Sequence, residues 1–256
     1  MTDGGPEPLL RMARVGKTFA GGTVALQNMS LSVRHGEFLS LLGPSGCGKS
    51  TALRLIAGLI RPTSGSISWA DGQGKDDLGI VFQEPTLMPW ARVADNVYLP
   101  FRLRGVSYGA VKDEVLNALR LVGLEHFQRA FPRELSGGMK MRVAIARAMV
   151  TKPRLILMDE PFAALDEITR FKLNNDLLAL REAIGCTIVF VTHSVFESVF
   201  LSDRIVVMAA RPGRVIRELD VDAPSPREEA FRTSADYAAY CRQATEALQD
   251  AIGEAA

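Results

Sequence analysis

Little in this sequence points to covalent staples, to a membrane span or to a field of one charge. Its three cysteines, Cys47, Cys186 and Cys241, are far apart and odd in number. They form no metal-ligand spacing and no disulfide framework, which suits a reducing compartment. Thirty basic residues stand against 29 acidic ones, a net charge of +1. That balance excludes a general affinity for polyanions and argues against nucleic acid as a partner. No apolar run approaches the roughly 18 residues that a membrane span needs; the run from Leu53 to Ile60 is interrupted by Arg54 and Gly58. Met1-Thr2-Asp3-Gly4-Gly5-Pro6 has no charged-then-apolar signal pattern, so the expectation is a chain neither secreted nor integral to a membrane. Internal repeats and low-complexity segments are also missing. What remains is 256 residues, 47% hydrophobic and 23% charged, enough to bury a sizeable core in one large domain or two small ones.

The strongest local signal is Gly43-Pro44-Ser45-Gly46-Cys47-Gly48-Lys49-Ser50-Thr51, which fits G-x-x-x-x-G-K-[ST]. The apolar run Phe38 to Leu42 precedes it and a helical pattern from Ala52 to Ala57 follows, the strand–loop–helix context the motif requires. Glycines let backbone N–H groups turn inward, and the helix end adds positive potential, so the stretch is built to hold phosphates. Lys49 can reach the β/γ-phosphates and Ser50 can ligate magnesium. The segment thus predicts nucleoside triphosphate binding. Cys47 lies inside it, so alkylation there should block use of the nucleotide, and the nucleotide should slow alkylation.

Residues 1–8 are Gly/Pro-rich and read as disordered. Leu9 to Val33 suggests short strands around Gly21-Gly22, an antiparallel flap. Strands are expected near Ser66–Trp69 and Leu78–Phe82, with a loop at Asp71-Gly72-Gln73-Gly74. Between 84 and 153 the pattern turns helical: Tyr108 to Leu121 carries an apolar stripe closed by Gly123, and a second helix runs from about Gly137 to Val150. Strands return at Arg154–Met158, Thr187–Val191 and Arg204–Met208, with helices near Asp166–Ile184 and Val195–Leu201. This alternation predicts a mostly parallel sheet covered on both faces, interrupted by a helical subdomain. After Pro224 and Pro226 the chain ends in an Ala-rich helical tail.

Ligand sites in such sheets lie at the carboxyl ends of the strands. Leu155 to Pro161 delivers Asp159 and Glu160 there, one suited to hold magnesium and the other to polarise an attacking water. His193 follows a core strand and is placed to contact a γ-phosphate, whereas His35 and His126 read as solvent-facing. Gln83 ends another strand, where its amide can bridge magnesium and water. Leu135-Ser136-Gly137-Gly138 opens a helix with Ser136 as N-cap and accessible amides, a second anion site.

In this order and spacing the motifs closely resemble those of an ABC transporter ATPase subunit, across roughly residues 9–220. The resemblance implies an α/β fold: a RecA-like P-loop NTPase core with a mostly parallel sheet, an N-terminal antiparallel β flap and an inserted helical subdomain. It assigns 9–83 and 154–220 to the core, 84–153 to the helical subdomain and 221–256 to a C-terminal helical tail. It also implies that two copies sandwich two ATP molecules head to tail, each ATP between the P-loop of one copy and the Ser136 segment of the other. Gly43, Pro44, Ser45, Gly46, Cys47, Gly48, Lys49, Ser50 and Thr51 would then hold the nucleotide and Mg2+. Ser136, Gly137 and Gly138 would reach it from the second copy, and Asp166 would be a dimer contact. Ser50, Gln83 and Asp159 become the metal set, Glu160 the general base, His193 the γ-phosphate sensor and Gln83 the link to the membrane partner. Two positions depart from the family pattern. Met139 replaces the Gln that usually closes the signature, leaving the helix amides in place. Phe19 replaces a Tyr that often stacks on adenine, keeping the aromatic face.

A finer resemblance, to the nitrate/sulfonate/taurine/bicarbonate importer ATPases, rests on Gln83 to Trp90, Asp159 to Asp166, His193 to Ser198 and Ala210 to Arg214. It implies integral-membrane permease partners, an external or periplasmic solute-binding protein acting indirectly, and a peripheral place on the cytoplasmic face of a bacterial inner membrane. Pro89-Trp90 reads either as core packing or as part of a groove for a permease helix. The chain ends soon after the core, so the extra β-domain of sugar-importer ATPases is not expected. An exporter or lipid-transport subunit is the alternative within the family. A soluble ABC ATPase acting on DNA or ribosomes fits less well, since those tend to carry two ATPase domains or long coiled-coil insertions and the net charge is near zero. A P-loop kinase or GTPase is disfavoured by the Ser136-Gly137-Gly138 segment and His193.

Overall fold

Alternating buried and exposed residues make β1 (Leu10–Thr18) and β2 (Val24–Val33) one-faced strands, and they pair antiparallel with Leu10 opposite Val33. They open a computed structural model that describes residues 7–70, 77–224 and 226–253. The expected loop at Asp71–Gly74 and most of the 1–8 segment lie outside those residues. In chain order there follow β3 (Phe38–Leu42), α1 (Lys49–Ile56), β4 (Ser64–Trp69), β5 (Leu78–Val81), α2 (Val93–Leu103), α3 (Lys112–Leu121) and α4 (Gly137–Met149). The second half adds β6 (Leu155–Asp159), α5 (Glu167–Ile184), β7 (Thr187–Thr192), α6 (Val195–Leu201), β8 (Arg204–Ala209), β9 (Arg214–Asp220) and α7 (Ala235–Gly253). The chain divides into two units, Met1–Asp77 with Thr187–Ala256 and Leu78–Cys186.

In the first unit β4 pairs antiparallel with β1, making the order β2-β1-β4. The larger sheet of this unit runs β7-β3-β8-β9. Every residue of β3, β7 and β8 is buried, as strands covered on both faces must be. β3 pairs parallel with β7, Leu42 opposite Thr192, and parallel with β8, Leu42 opposite Val207. All three strands therefore end on one edge. β9 runs antiparallel along β8 and completes the far side. At the opposite end of β8, buried Arg204 donates to Glu37 and Glu218. Burial pulls its pKa down, but the two carboxylates outweigh that and leave it above the ordinary value. α7 packs on β8, β9 and α6.

In the second unit β5 and β6 pair parallel, Val81 opposite Met158, among α2, α3, α4 and α5. Gly79 is required where β5 meets α4: a Cβ there would lie 2.4 Å from the Ala148 carbonyl. Asp166 caps α5, and Gly185 (φ 68) ends it in the left-handed conformation.

The structure corrects several local expectations. α1 starts at Lys49 rather than Ala52, so Lys49 and Ser50 sit in its first turn. The stripe from Tyr108 resolves into a short 3-10 turn, Tyr108–Ala110, and α3 from Lys112. Two elements were not anticipated: α2, which carries Pro100 in its interior, and β9. Among the described residues no helix is long and apolar enough to cross a membrane.

Candidate functional site: two open helix ends and a carboxylate pair

The parallel register of β3 and β7 determines what the first unit can do. Because Leu42 lies opposite Thr192, the chain leaves the sheet at Gly43 on one strand and at His193 on the next. The P-loop and His193 are thus neighbours at one edge. The loop is tightly built. A Cβ on Gly43 would meet the Met208 carbonyl at 2.6 Å and Cys47 Sγ at 2.7 Å. Gly48 is the N-cap of α1 with φ 93, and a Cβ there would strike Leu26 at 2.6 Å. Gly46, at φ 78, has nothing within 4 Å of its Cβ position, so the cradle is open on that side.

Lys49 is only 4% exposed, and its ammonium donates to the carbonyls of Gly43 (2.7 Å) and Pro44 (3.0 Å). It is folded into its own loop, pre-placed where phosphate oxygens could replace those carbonyls. The first turn of α1 contains no acidic residue, which leaves its positive end available to an anion. Cys47 is fully buried beneath the loop. Burial pushes its thiol pKa up, against the opposing pull of Lys49. Magnesium, a hard cation, takes oxygen ligands and keeps several from water and phosphate. Among the described residues no cluster of three or more His, Cys, Asp or Glu forms a closed metal cage. One hydroxyl at Ser50 beside the phosphate cradle fits that mode of binding.

Sequence reasoning missed the support beneath the loop. Gly213, in the turn before β9, accepts from Gln27 N–H and donates to the Ala25 carbonyl. A Cβ at Gly213 would lie 2.2 Å from the Cys47 carbonyl, so only glycine lets this turn reach the P-loop. Phe19 stands in the β1–β2 turn, 40% exposed, with the Lys17 ammonium 5.3 Å from its ring centroid. It is an outward-facing aromatic, not core packing.

The second unit carries two further groupings. The register of β5 and β6 sends the segments after Val81 and Met158 out on the same edge, bringing Gln83 and the Asp159-Glu160 pair to one end. Gln83 is exposed and both carboxylates are half-buried. Glu160 has φ 46, a left-handed conformation that costs a non-glycine residue about 1–3 kcal/mol and recurs at working sites. The other grouping is formed by two helix ends. Ser136 caps α4, accepting from Met139 N–H at 3.3 Å, and no acidic residue lies in the first turn. At the start of α5, Asp166 accepts from Thr169 N–H (2.9 Å) and Thr169 Oγ1 (2.7 Å). Those Thr169 bonds hold the Asp166 carboxyl below its usual pKa range. A Cβ on Gly138 would be 2.8 Å from Thr169 Cγ2, so the two helix starts touch. One end is occupied by its own carboxylate and the other is left open.

Two residues behind these groups carried no sequence signal. Arg147, near the end of α4, donates to the carbonyls of Pro85 and Thr86 (both 2.9 Å) and to Thr86 Oγ1 (3.0 Å). Asn96, fully buried in α2, accepts from Met88 N–H at 2.7 Å and donates to the carbonyls of Met88, Ala91 and Arg92. Together they hold the segment after Gln83 and present Trp90 at 76% exposure, which excludes the core-packing reading of that residue.

The sequence model of the ABC transporter family matches residues 26–163. The nitrate import ATP-binding protein of a Synechocystis strain is 46% identical over 81% of this chain and 79% of its own. An aliphatic sulfonates import ATP-binding protein of Pseudomonas syringae pv. tomato is 47% identical over 83% of this chain and 87% of its own. Among solved structures, an ATP-binding cassette dimer in a post-hydrolysis state, bound to ADP and Pi, superposes with a TM-score of 0.74 at 34% identity, covering 84% of this chain and all of that one.

Proposed function

The chain belongs to the ABC transporter family as an ATP-binding, ATP-hydrolysing subunit, and from that premise we propose that two copies close head to tail around two ATP molecules to energise uptake of a small anionic or sulfonate-type solute. The ATPase domain would span 9–220, with 84–153 as the helical subdomain and 221–256 as the tail. The observation that carries this reading is the open N-terminus of α4 at Ser136 and Gly137: an exposed helix end with no acid in its first turn, suited to a phosphate brought by another chain. Kinship with nitrate and sulfonate import proteins supports import. Partners would be permease subunits in the membrane, meeting the exposed Gln83–Trp90 segment from the cytoplasmic face, with a solute-binding protein on the far side.

In this proposal the available backbone N–H groups of the Gly43–Thr51 loop (Pro44 has none) and Lys49 hold the β- and γ-phosphates, and Ser136 with the α4 amides closes over the γ-phosphate from the second copy. Magnesium would be held by Ser50 with Gln83 and Asp159, and it would neutralise phosphate charge. Glu160 accepts the proton of a water aimed at the γ-phosphorus, with Gln83 helping to orient it. The P–O bond to ADP breaks and inorganic phosphate forms. His193 contacts the γ-phosphate and Phe19 stacks on the base. Charge accumulating on the transferring group is met by donors fixed in advance, so little reorganisation is needed during reaction.

The test is Glu160→Gln. Nucleotide affinity should stay near wild type while turnover falls on the order of 10²–10⁴-fold, the usual contribution of a general base. Near-normal hydrolysis would remove Glu160 from that role.

A further inference from the structure

Residues 227–241 close onto the helix that follows His193. Arg227 donates to the carbonyls of Phe200 (2.9 Å) and Ser202 (2.7 Å), at the end of α6. The Arg232 guanidinium lies 3.3 Å from the centroid of the Phe200 ring, a stacking distance. Tyr237 Oη donates to the Phe196 carbonyl at 3.0 Å, and Phe231 packs edge-on against the Tyr237 ring at 5.4 Å. Burial pulls the Arg232 pKa down, while Tyr237, Glu229 and Glu197 push it back. Glu197 is therefore among the charges near enough to act on this guanidinium, the weakest of those named.

Glu197 is 6% exposed, and it also belongs to a set of hydrogen bonds that flanks His193. It accepts from Thr192 Oγ1 at 2.5 Å. Thr192 Oγ1 accepts from Ser194 N–H at 3.0 Å, and Ser194 Oγ caps α6 by accepting from Glu197 N–H at 3.3 Å. These bonds fix the residues on both sides of His193, whose own position is exposed.

From this chain of contacts we infer that Arg232 and Tyr237 are positioning residues for His193. The tail fixes α6, α6 carries Glu197, and Glu197 with Thr192 and Ser194 sets the direction in which the imidazole leaves the sheet. The inference rests on the proposed reading of His193 as the γ-phosphate contact. Every link lies in the unit that also carries the P-loop, but none of the bonds named reaches Gly43–Thr51. The tail thus acts through the γ-phosphate contact rather than through the loop that holds the nucleotide, and its effect is expected mainly on turnover.

The test uses the full chain and the variants Arg232→Ala, Arg232→Lys, Tyr237→Phe and His193→Ala. Three readouts are taken: kcat and KM for ATP, nucleotide affinity measured separately, and the imidazole NMR resonances of His193. With three histidines in the chain, the His193→Ala spectrum assigns them. Arg232→Ala should lower kcat about 10-fold with affinity within about twofold, a loss confined to the transition state. Arg232→Lys keeps the charge but loses the planar stack, and should recover part of that loss. Tyr237→Phe should lower kcat about threefold, the scale of one neutral hydrogen bond. It removes a single oxygen, so it tests the inference even if Arg232→Ala fails to fold. In each slowed variant the His193 resonances should move. If His193→Ala is inactive while Tyr237→Phe and the folded Arg232 variants keep wild-type kcat, the tail does not position His193. Slower turnover with unmoved His193 resonances overturns the inference equally. Wild-type hydrolysis by His193→Ala would instead remove the reading on which it rests.

Discussion

A thiol inside a phosphate loop invites the expectation of direct alkylation, and burial reverses it. Cys47 is fully buried, its sulfur lying close to Gly43 under the loop. Burial also keeps it protonated, although Lys49 pulls the other way, and the protonated form is not the nucleophile. Reaction must wait for the loop to open. Native protein should label at Cys47 about 10²-fold or more slowly than unfolded protein, since only the opened fraction reacts. Nucleotide should slow it further by stabilising the closed form. Mass spectrometry of the three cysteine peptides over time checks this. Rapid labelling in the native protein would mean that the loop is open much of the time. A pH effect follows from the same cause. Cys47, Cys186 and Cys241 all have pKa values raised by burial, so the unfolded chain loses thiol protons at lower pH than the folded one. Stability contributed by the neutral thiols is present below the ordinary thiol range and declines as pH climbs through it.

At the scale of elements, α4 joins two functions that lie far apart in sequence. Its first turn presents Ser136 and Gly137; Arg147, near its other end, grips Pro85 and Thr86, two and three residues past Gln83. Thr86 is held at φ 47, a conformation it would leave if released. Arg147→Met keeps the aliphatic bulk and removes the three bonds. It should cost about 1–3 kcal/mol of stability and raise amide exchange across residues 84–91 by about 10-fold or more, while the interior of α4 stays protected. Unchanged exchange in that segment would show that Asn96 alone holds it. The contrast between legible and illegible features follows from the same physics. The strand–loop–helix around Lys49, the carboxylates after β6 and the Ser136 start of α4 were readable because each is a local pattern of residue types. Arg147 and Asn96 were not, and Gly213 was legible only as part of the Ala210–Arg214 resemblance and not as a support of the P-loop, because all three act on backbone carbonyls and loops distant in sequence. α2 was hidden by Pro100, which removes a helical hydrogen bond yet is tolerated here. β9 was hidden because it is an edge strand of mixed burial, with little apolar alternation to read.

On the scale of the whole molecule, the proposal turns on whether one chain contains a complete site. The P-loop offers one helix end to phosphate and α4 offers another, and the head-to-tail reading assigns them to different copies for any given ATP. That makes complementation between defective chains a direct test. Lys49→Ala removes the buried cation from the loop, and Ser136→Glu places a carboxylate at the α4 end where an anion would dock. Each variant alone should be nearly inactive. Mixed in equal amounts, random pairing makes about half of the dimers mixed, each with one site that has an intact Lys49 from one copy and an intact Ser136 from the other; about a quarter of wild-type sites should therefore reappear. Activity should rise with the square of total chain concentration while dimers are scarce, and it should vanish when either variant is omitted. ATPase rates of the separate and mixed variants across a concentration series check both points. A mixture no more active than the sum of its parts would mean that the two helix ends serve the same ATP from within one chain, or that both sites must be intact before either turns over. Adding wild-type chain to Ser136→Glu separates these: one good site per mixed dimer is then assured, and a rate that scales with mixed dimers leaves only the self-contained site as the explanation.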